Sequence, residues 1–226
     1  MPLIAKARLA GWLYLLVIAG GLFAELGVRQ QLINAGDSHA TALNILANEN
    51  LYRLGMSINL AYLLCNIPFA VLFYEIFRAT NRLVAIMILV GIAITTTIEA
   101  ANLFNLLDAL EHLTGPFYAS LSLTDRYDLA YASLQNFSSG FAISLVFFGA
   151  VCLLYARAIF ESNLIPRLIG ALIALTGVCY IFNSFAMFLA PDLAASLFPY
   201  VMLPCFVGEL TLALWLSIKG IRDKAE

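Results

Sequence analysis

Glu99 is an acid set in an oily surrounding. In the stretch Thr95 to Asn105, TTTIEAANLFN, it follows three threonines and precedes Asn102 and Asn105, inside an apolar run that begins at Arg82. On a helix turning about 100° per residue, Thr95, Glu99 and Asn102 fall within about 60° of one another and form one polar stripe. A charge facing hydrocarbon costs about 2.5–3.5 kcal/mol or more, so the stripe is expected to face other helices or a wet cavity. Glu209 repeats the situation in a later apolar run, and neither acid has a basic neighbour on its own run. Such acids can exchange a proton, act as an acid–base pair, or hold a polar ligand.

Other polar residues recur at a similar depth in their runs. Counted from the basic residues that flank each run, Glu25, Asn59, Glu99, Asn102, Gln135, Asn136 and Asn183 fall in the outer half of a bilayer, with Glu209 and Asn66 nearer the middle. Asn59, Tyr62 and Asn66 share a face, as do Gln135 and Ser139. The candidate ligand-binding set is therefore Glu25, Asn59, Glu99, Asn102, Gln135, Asn183 and Glu209, lining an outward-facing polar cavity. The alternative is a set of interhelical hydrogen bonds, each worth about 0.6 kcal/mol, that fix helix register. For Glu25 an ion pair with Arg29, four residues on, is sufficient, and Glu75 stands in the same way to Arg78.

Several chemistries find no footing. No lysine lies within an apolar run to carry a Schiff base, and no histidine does to hold haem or a di-iron centre. Phosphate-binding glycine loops and G-x-S-x-G are absent. Cys65, Cys152, Cys179 and Cys205 have no metal-ligand spacing and read as small core residues. His39 and His112, with Asp37, Asp108 and Glu111, read as solvated outer-side residues. No cofactor and no metal is expected, and with no basic run longer than a pair, no nucleic acid either.

The elements that must position these residues are membrane spans. Of 226 residues 62% are hydrophobic and 12% charged, against about 25% charged in soluble domains, which excludes a soluble domain. Six apolar runs, about 9–28, 54–77, 83–107, 132–156, 167–190 and 198–218, are each long enough to cross about 30 Å of hydrocarbon. The expectation is an all-α, six-helix transmembrane bundle forming a single domain over 1–226. Lys6, Arg8, Arg78, Arg82, Arg157, Arg167, Lys219, Arg222 and Lys224 fall on one side, and Arg29, Arg53 and Arg126 on the other. Nine against three puts both termini in the cytoplasm, with the first run a retained anchor.

The connections on the outer side are the longer ones. Between the first two spans, Leu43, Leu46, Ala47, Leu51 and Leu54 recur at helical spacing behind a possible cap at Asp37/Ser38, predicting a short amphipathic helix on the outer surface. Between the third and fourth, Gly115–Phe117 breaks the chain and Thr124 is a potential helix cap. Pro68 and Pro204 are expected inside spans, where they kink the helix or free a carbonyl. The odd spans open RLAG (Arg8), RLVA (Arg82) and RLIG (Arg167) and carry Glu25, Glu99 and Asn183 at 16–17 positions further on, a faint internal rhythm.

Nearly the whole chain resembles the bacterial membrane family called domain of unknown function 4386. The resemblance is carried by ARLAGWLYLL from Ala7, FAELGVR (Phe23–Arg29), LYRLG (Leu51–Gly55), ISLVFFGAVCLLYA (Ile143–Ala156), LIPRLIGALI (Leu164–Ile173) and GELTLALWLSIKG (Gly208–Gly220). It implies a multi-pass membrane topology and brings no activity with it. The family often carries acids in place of Asn59 and Asn183 and a histidine in place of Val151, so an ionisable role does not transfer to these positions. The reading is a non-enzymatic bacterial inner-membrane protein binding a small amphiphile or lipid. The alternatives are a proton-coupled carrier using Glu99 or Glu209, a structural membrane subunit, and an intramembrane acid–base enzyme.

Overall fold

A computed structural model describes residues 1–222; Lys224, counted above among the cytoplasmic cations, lies outside the described residues. Among these residues there is no strand, and six helices are long and apolar enough to cross a membrane: Leu3–Leu32, Glu49–Phe77, Arg82–Thr114, Leu123–Ser162, Arg167–Leu189 and Tyr200–Ile218. The expected all-α, six-helix architecture is therefore present. In chain order, α1 (Leu3–Leu22) passes through a π-helical segment, Phe23–Arg29, into the short α2 (Gln30–Leu32). Then come α3 (Ser38–Ala47), α4 (Glu49–Phe77), α5 (Arg82–Thr114), α6 (Leu123–Ser162), α7 (Arg167–Leu189), α8 (Pro191–Leu197) and α9 (Leu203–Ile218).

Local chemistry sets the helix ends. Asp37 caps α3, its Oδ1 accepting from the Ala40 N–H at 2.8 Å, as its position suggested. Asn48 then interrupts the helix, so Leu51 and Leu54 belong to α4 and not to the expected surface helix. The buried face of α3 is Thr41, Ala42 and Ile45, while Leu43 and Leu46 are exposed. Ser122, not Thr124, caps α6: its Oγ accepts from the Asp125 N–H at 3.2 Å and donates to Asp125 Oδ2 at 2.7 Å. The Ser122 hydroxyl thus satisfies one of the first-turn N–H groups of α6, and the Asp125 carboxylate holds that hydroxyl in place. Pro204 lies in the first turn of α9, where a missing N–H costs nothing, so only Pro68 sits inside a helix.

The chain divides into two compact units. The first comprises Met1–Ile18, Leu64–Thr97 and Ala142–Glu226. Its core is aromatic: Tyr14 stacks on Phe69 at 4.8 Å between ring centres, and Phe73 meets Tyr155 at 4.4 Å. Where α6 meets α7, a Cβ on Gly149 would press on the Gly177 carbonyl oxygen and one on Gly177 on that of Gly149. Both residues must therefore be glycine for the two backbones to approach this closely.

The second unit comprises Ala19–Leu63 and Ile98–Phe141. Its core is built from Val28, Leu32, Ile45, Tyr52, Leu106, Leu110, Leu134 and Phe137. Tyr52 is buried, and its hydroxyl donates to the Leu106 carbonyl at 2.9 Å. The connection before α3 is tied to α6 by the Gly36 N–H donating to Tyr131 Oη (2.7 Å) and by Ser38 Oγ donating to Asp128 Oδ1 (2.6 Å).

Candidate functional site

In the second unit, α4, α5 and α6 bring polar side chains together. Asn59 and Tyr62 come from α4, Glu99, Asn102 and Leu103 from α5, and Phe137 and Phe141 from α6. These seven residues line a narrow cleft of ≈ 170 Å³ of unfilled space, which has no room for a water-sized sphere. Asn59 and Tyr62 share a face of α4 because they are three residues apart; Glu99, Asn102 and Leu103 share one of α5 for the same reason. The polar stripe read from Glu99 and Asn102 therefore faces neighbouring helices.

The hydrogen bonds within the cleft are specific. Tyr62 Oη donates to Glu99 Oε2 at 3.2 Å. Asn102 Nδ2 donates to the Phe137 carbonyl at 2.8 Å, and its Oδ1 accepts from Asn105 Nδ2 at 2.9 Å. Asn59 Nδ2 donates to the Gly55 carbonyl of its own helix at 2.8 Å. Asn59 is 1% exposed, and its Oδ1 accepts no hydrogen bond from the protein. Because the Gly55 oxygen can only accept, the amide is oriented with this oxygen away from it. A buried carbonyl left unpaired costs about 1–3 kcal/mol, so such groups are rare and call for an explanation.

The other expected site residues are distributed differently. Glu25 pairs with Arg29 at 2.7 Å, as their spacing suggested, and the Arg29 guanidinium lies 5.0 Å from the centre of the Phe137 ring. Gln135 is exposed on α6 and does not line the cleft. Asn183 is half-buried on α7, in the first unit. Glu209 also belongs to the first unit, where Tyr14 Oη donates to it at 2.9 Å and Tyr180 Oη donates to its other oxygen. Four further polar atoms of that unit, Thr96 Oγ1, Tyr155 Oη, Ser184 Oγ and Trp215 Nε1, are buried without a partner. Among the described residues no group of three or more His, Cys, Asp or Glu side chains is arranged to hold a metal.

Tyr14 and Tyr180 were not singled out from sequence, nor were the cleft's two phenylalanines. The available signal was the hydroxyl: a tyrosine deep in an apolar run must find a partner for it, and the nearest acid is the natural one.

Six helices of this length and apolarity make the chain a multi-pass membrane protein. Its residues 9–220 match the family described as Domain of unknown function (DUF4386), and the chain belongs to that family. No curated protein and no solved structure matches it.

Proposed function

We propose that this protein is a single-domain bacterial inner-membrane protein, with both termini cytoplasmic, that binds a small amphiphile or lipid head group in the cleft of Asn59, Tyr62, Glu99 and Asn102. The observation that carries this reading is Asn59 Oδ1, a buried acceptor without a protein donor, on the wall of a cleft that also holds an acid. A ligand donor reaching that oxygen would remove the desolvation cost it otherwise imposes. The excess of Lys and Arg on the side of the termini supports the orientation, which sets the cleft in the outer half of the bilayer. Glu25 serves Arg29 in this reading; Gln135, Asn183 and Glu209 are not part of it.

A structural subunit is the second reading, and the tightness of the cleft favours it. With no room for a water-sized sphere, binding requires the lining side chains to part, whereas a purely structural centre would stay closed. Cysteine scanning separates the two. In a background lacking the four native cysteines, Asn59→Cys, Glu99→Cys and Asn102→Cys are expected to react with a membrane-impermeant thiol reagent added to whole cells. Leu106→Cys, in the core of the same unit, is expected not to react. If the three cleft positions stay unreactive while Ser120→Cys in the connecting loop labels, the structural reading stands and the binding one is lost.

A further inference from the structure

At the end of the first unit that carries the termini, the acids already have cations. Glu75 pairs with Lys6 at 2.9 Å and with Arg78 at 3.2 Å. Glu161 pairs with Arg157 at 2.7 Å and accepts from Asn81 Nδ2 at 2.8 Å, with Arg82 next in the chain. Arg8, Arg167, Lys219 and Arg222 have no carboxylate partner among the described residues. Arg8 stands two residues past Lys6, about 200° further round α1, and so points away from Glu75.

The backbone gathers these four cations. Gly220, with φ +76°, turns the chain at the end of α9, its N–H closing on the Trp215 and Leu216 carbonyls. A Cβ on Gly220 would press on Ile4 at 2.8 Å and lie 3.6 Å from Arg8 Cγ, so the turn after Lys219 rests on α1 beside Arg8. Beyond the turn, the Arg222 N–H donates to the Leu164 carbonyl at 2.9 Å, three residues ahead of Arg167. Leu164 and Ile221, both buried in the same core, fix this return of the chain. The four basic side chains are exposed around it. Like charges gathered without an acid repel one another, and an anion among them removes that repulsion.

The surfaces next to the cations are oily. Trp12, one turn from Arg8 on the same face of α1, is 59% exposed. Leu168 beside Arg167 is 71% exposed, and Ile218 beside Lys219 is 62% exposed. Apolar helix faces with a rim of cations at one end match a molecule that joins acyl chains to a negative head group. A free phosphate would use the cations and none of the faces.

We propose that this corner binds an anionic phospholipid, with its phosphate among Arg8, Arg167, Lys219 and Arg222 and its acyl chains along α1, α7 and α9. The site is separate from the cleft and depends neither on the cleft reading nor on the side of the membrane that holds the termini.

The test uses the full chain, purified in a non-ionic detergent and offered equimolar phosphatidylglycerol, phosphatidylethanolamine and phosphatidylcholine of matched acyl chains. Native mass spectrometry reads the retained lipid, and unfolding temperatures are read on the same samples. Phosphatidylglycerol is expected to be retained at least tenfold over the other two. Arg8→Gln and Arg167→Gln should each lower this preference about fivefold, the usual worth of one cation near an anionic lipid. Replacing all four cations by Gln should abolish it, whereas Arg8→Lys and Arg167→Lys should keep most of it.

Arg78→Gln and Arg157→Gln, at the same end but already paired, are expected to change the preference less than twofold, because salt screens distant charges. Equal losses from paired and unpaired cations would replace the site by a diffuse field and overturn the proposal. So would a lack of preference for phosphatidylglycerol, or its displacement by equimolar glycerol 3-phosphate, which would mark a site for free anions. The unmodified protein gives a check that no misfolded variant can blur: added salt must weaken retention of phosphatidylglycerol more than that of phosphatidylcholine. A preference indifferent to salt would equally overturn the proposal.

Discussion

Asn102 on α5 donates to the backbone carbonyl of Phe137 on α6 at 2.8 Å, and the side chain can reach it because Gly140 has no Cβ in its way. A Cβ built at Gly140 would collide with the Asn102 carboxamide. The pair joins an amide, which needs a partner in a low-dielectric interior, to the one residue type that leaves space for it.

Gly140→Ala is accordingly expected to destabilise the protein by about 1–3 kcal/mol, the usual range for overpacking a tight contact. Asn102→Leu should cost about 1 kcal/mol through the lost interhelical bond. Combined, they should cost less than their sum, because the clash disappears with the amide. Equilibrium unfolding in mixed micelles measures all three, and strict additivity would show that the two residues do not meet.

Glu209 is expected to behave as the shared acceptor of Tyr14 and Tyr180. Each Tyr→Phe change should cost about 0.6 kcal/mol, and at most about 1.7 kcal/mol. The double variant should cost more than the sum, since it leaves the carboxyl without either donor. A double-mutant cycle repeated in a Glu209→Leu background should lose this coupling; persistence of the coupling there would remove Glu209 as its cause.

Arg126 secures the open end of α5. Its Nε donates to the His112 carbonyl at 2.9 Å and its guanidinium also donates to the Leu113 carbonyl, two of the last-turn groups that a helix cannot satisfy itself. Arg126→Ala is expected to cost about 1.5–3 kcal/mol, as for hydrogen bonds made by a charged group, and to speed amide exchange across residues 115–122. Arg126→Lys should recover only part of this, because an ammonium lacks the fork that spans two carbonyls. Unchanged exchange in Arg126→Ala would count against the clamp.

For the orientation, in a background lacking the native cysteines, Ser120→Cys is expected to label in whole cells with an impermeant thiol reagent. Thr80→Cys, in the turn between α4 and α5, should label only after the cells are opened. The opposite pattern would invert the assignment of the termini.

How much of this was legible in the sequence follows from the range of the forces involved. The six long helices were readable because length and apolarity are properties of a single segment. The same holds for the ion pair of Glu25 with Arg29 and the cap at Asp37, whose partners lie within four residues. The start of α6 was missed because Ser122 and Thr124 are both competent caps, and the choice fell to the residue with an acid three positions on. Pro204 was misread because the non-helical entry of residues 198–202, which includes a single 3₁₀ turn, gives no hydropathy signal.

The partners of Asn59, Asn102 and Glu209 could not be read at all. Depth in a run orders residues along the membrane normal and says nothing of which helix each one faces. That is why Gln135, close in depth to Asn102, is exposed while Phe137 lines the cleft.

The π-helical segment from Phe23 to Arg29 has a consequence for insertions and deletions. There the Gln30 N–H reaches back five residues to the Glu25 carbonyl, so the winding holds a residue more than an α-helical turn of the same height would. Each residue of surplus turns whatever follows by about 100° relative to a straight α-helix. Removing one residue from this segment would use up the slack locally, whereas the same deletion at Leu15, within α1, would swing the rest of the helix out of phase with its neighbours.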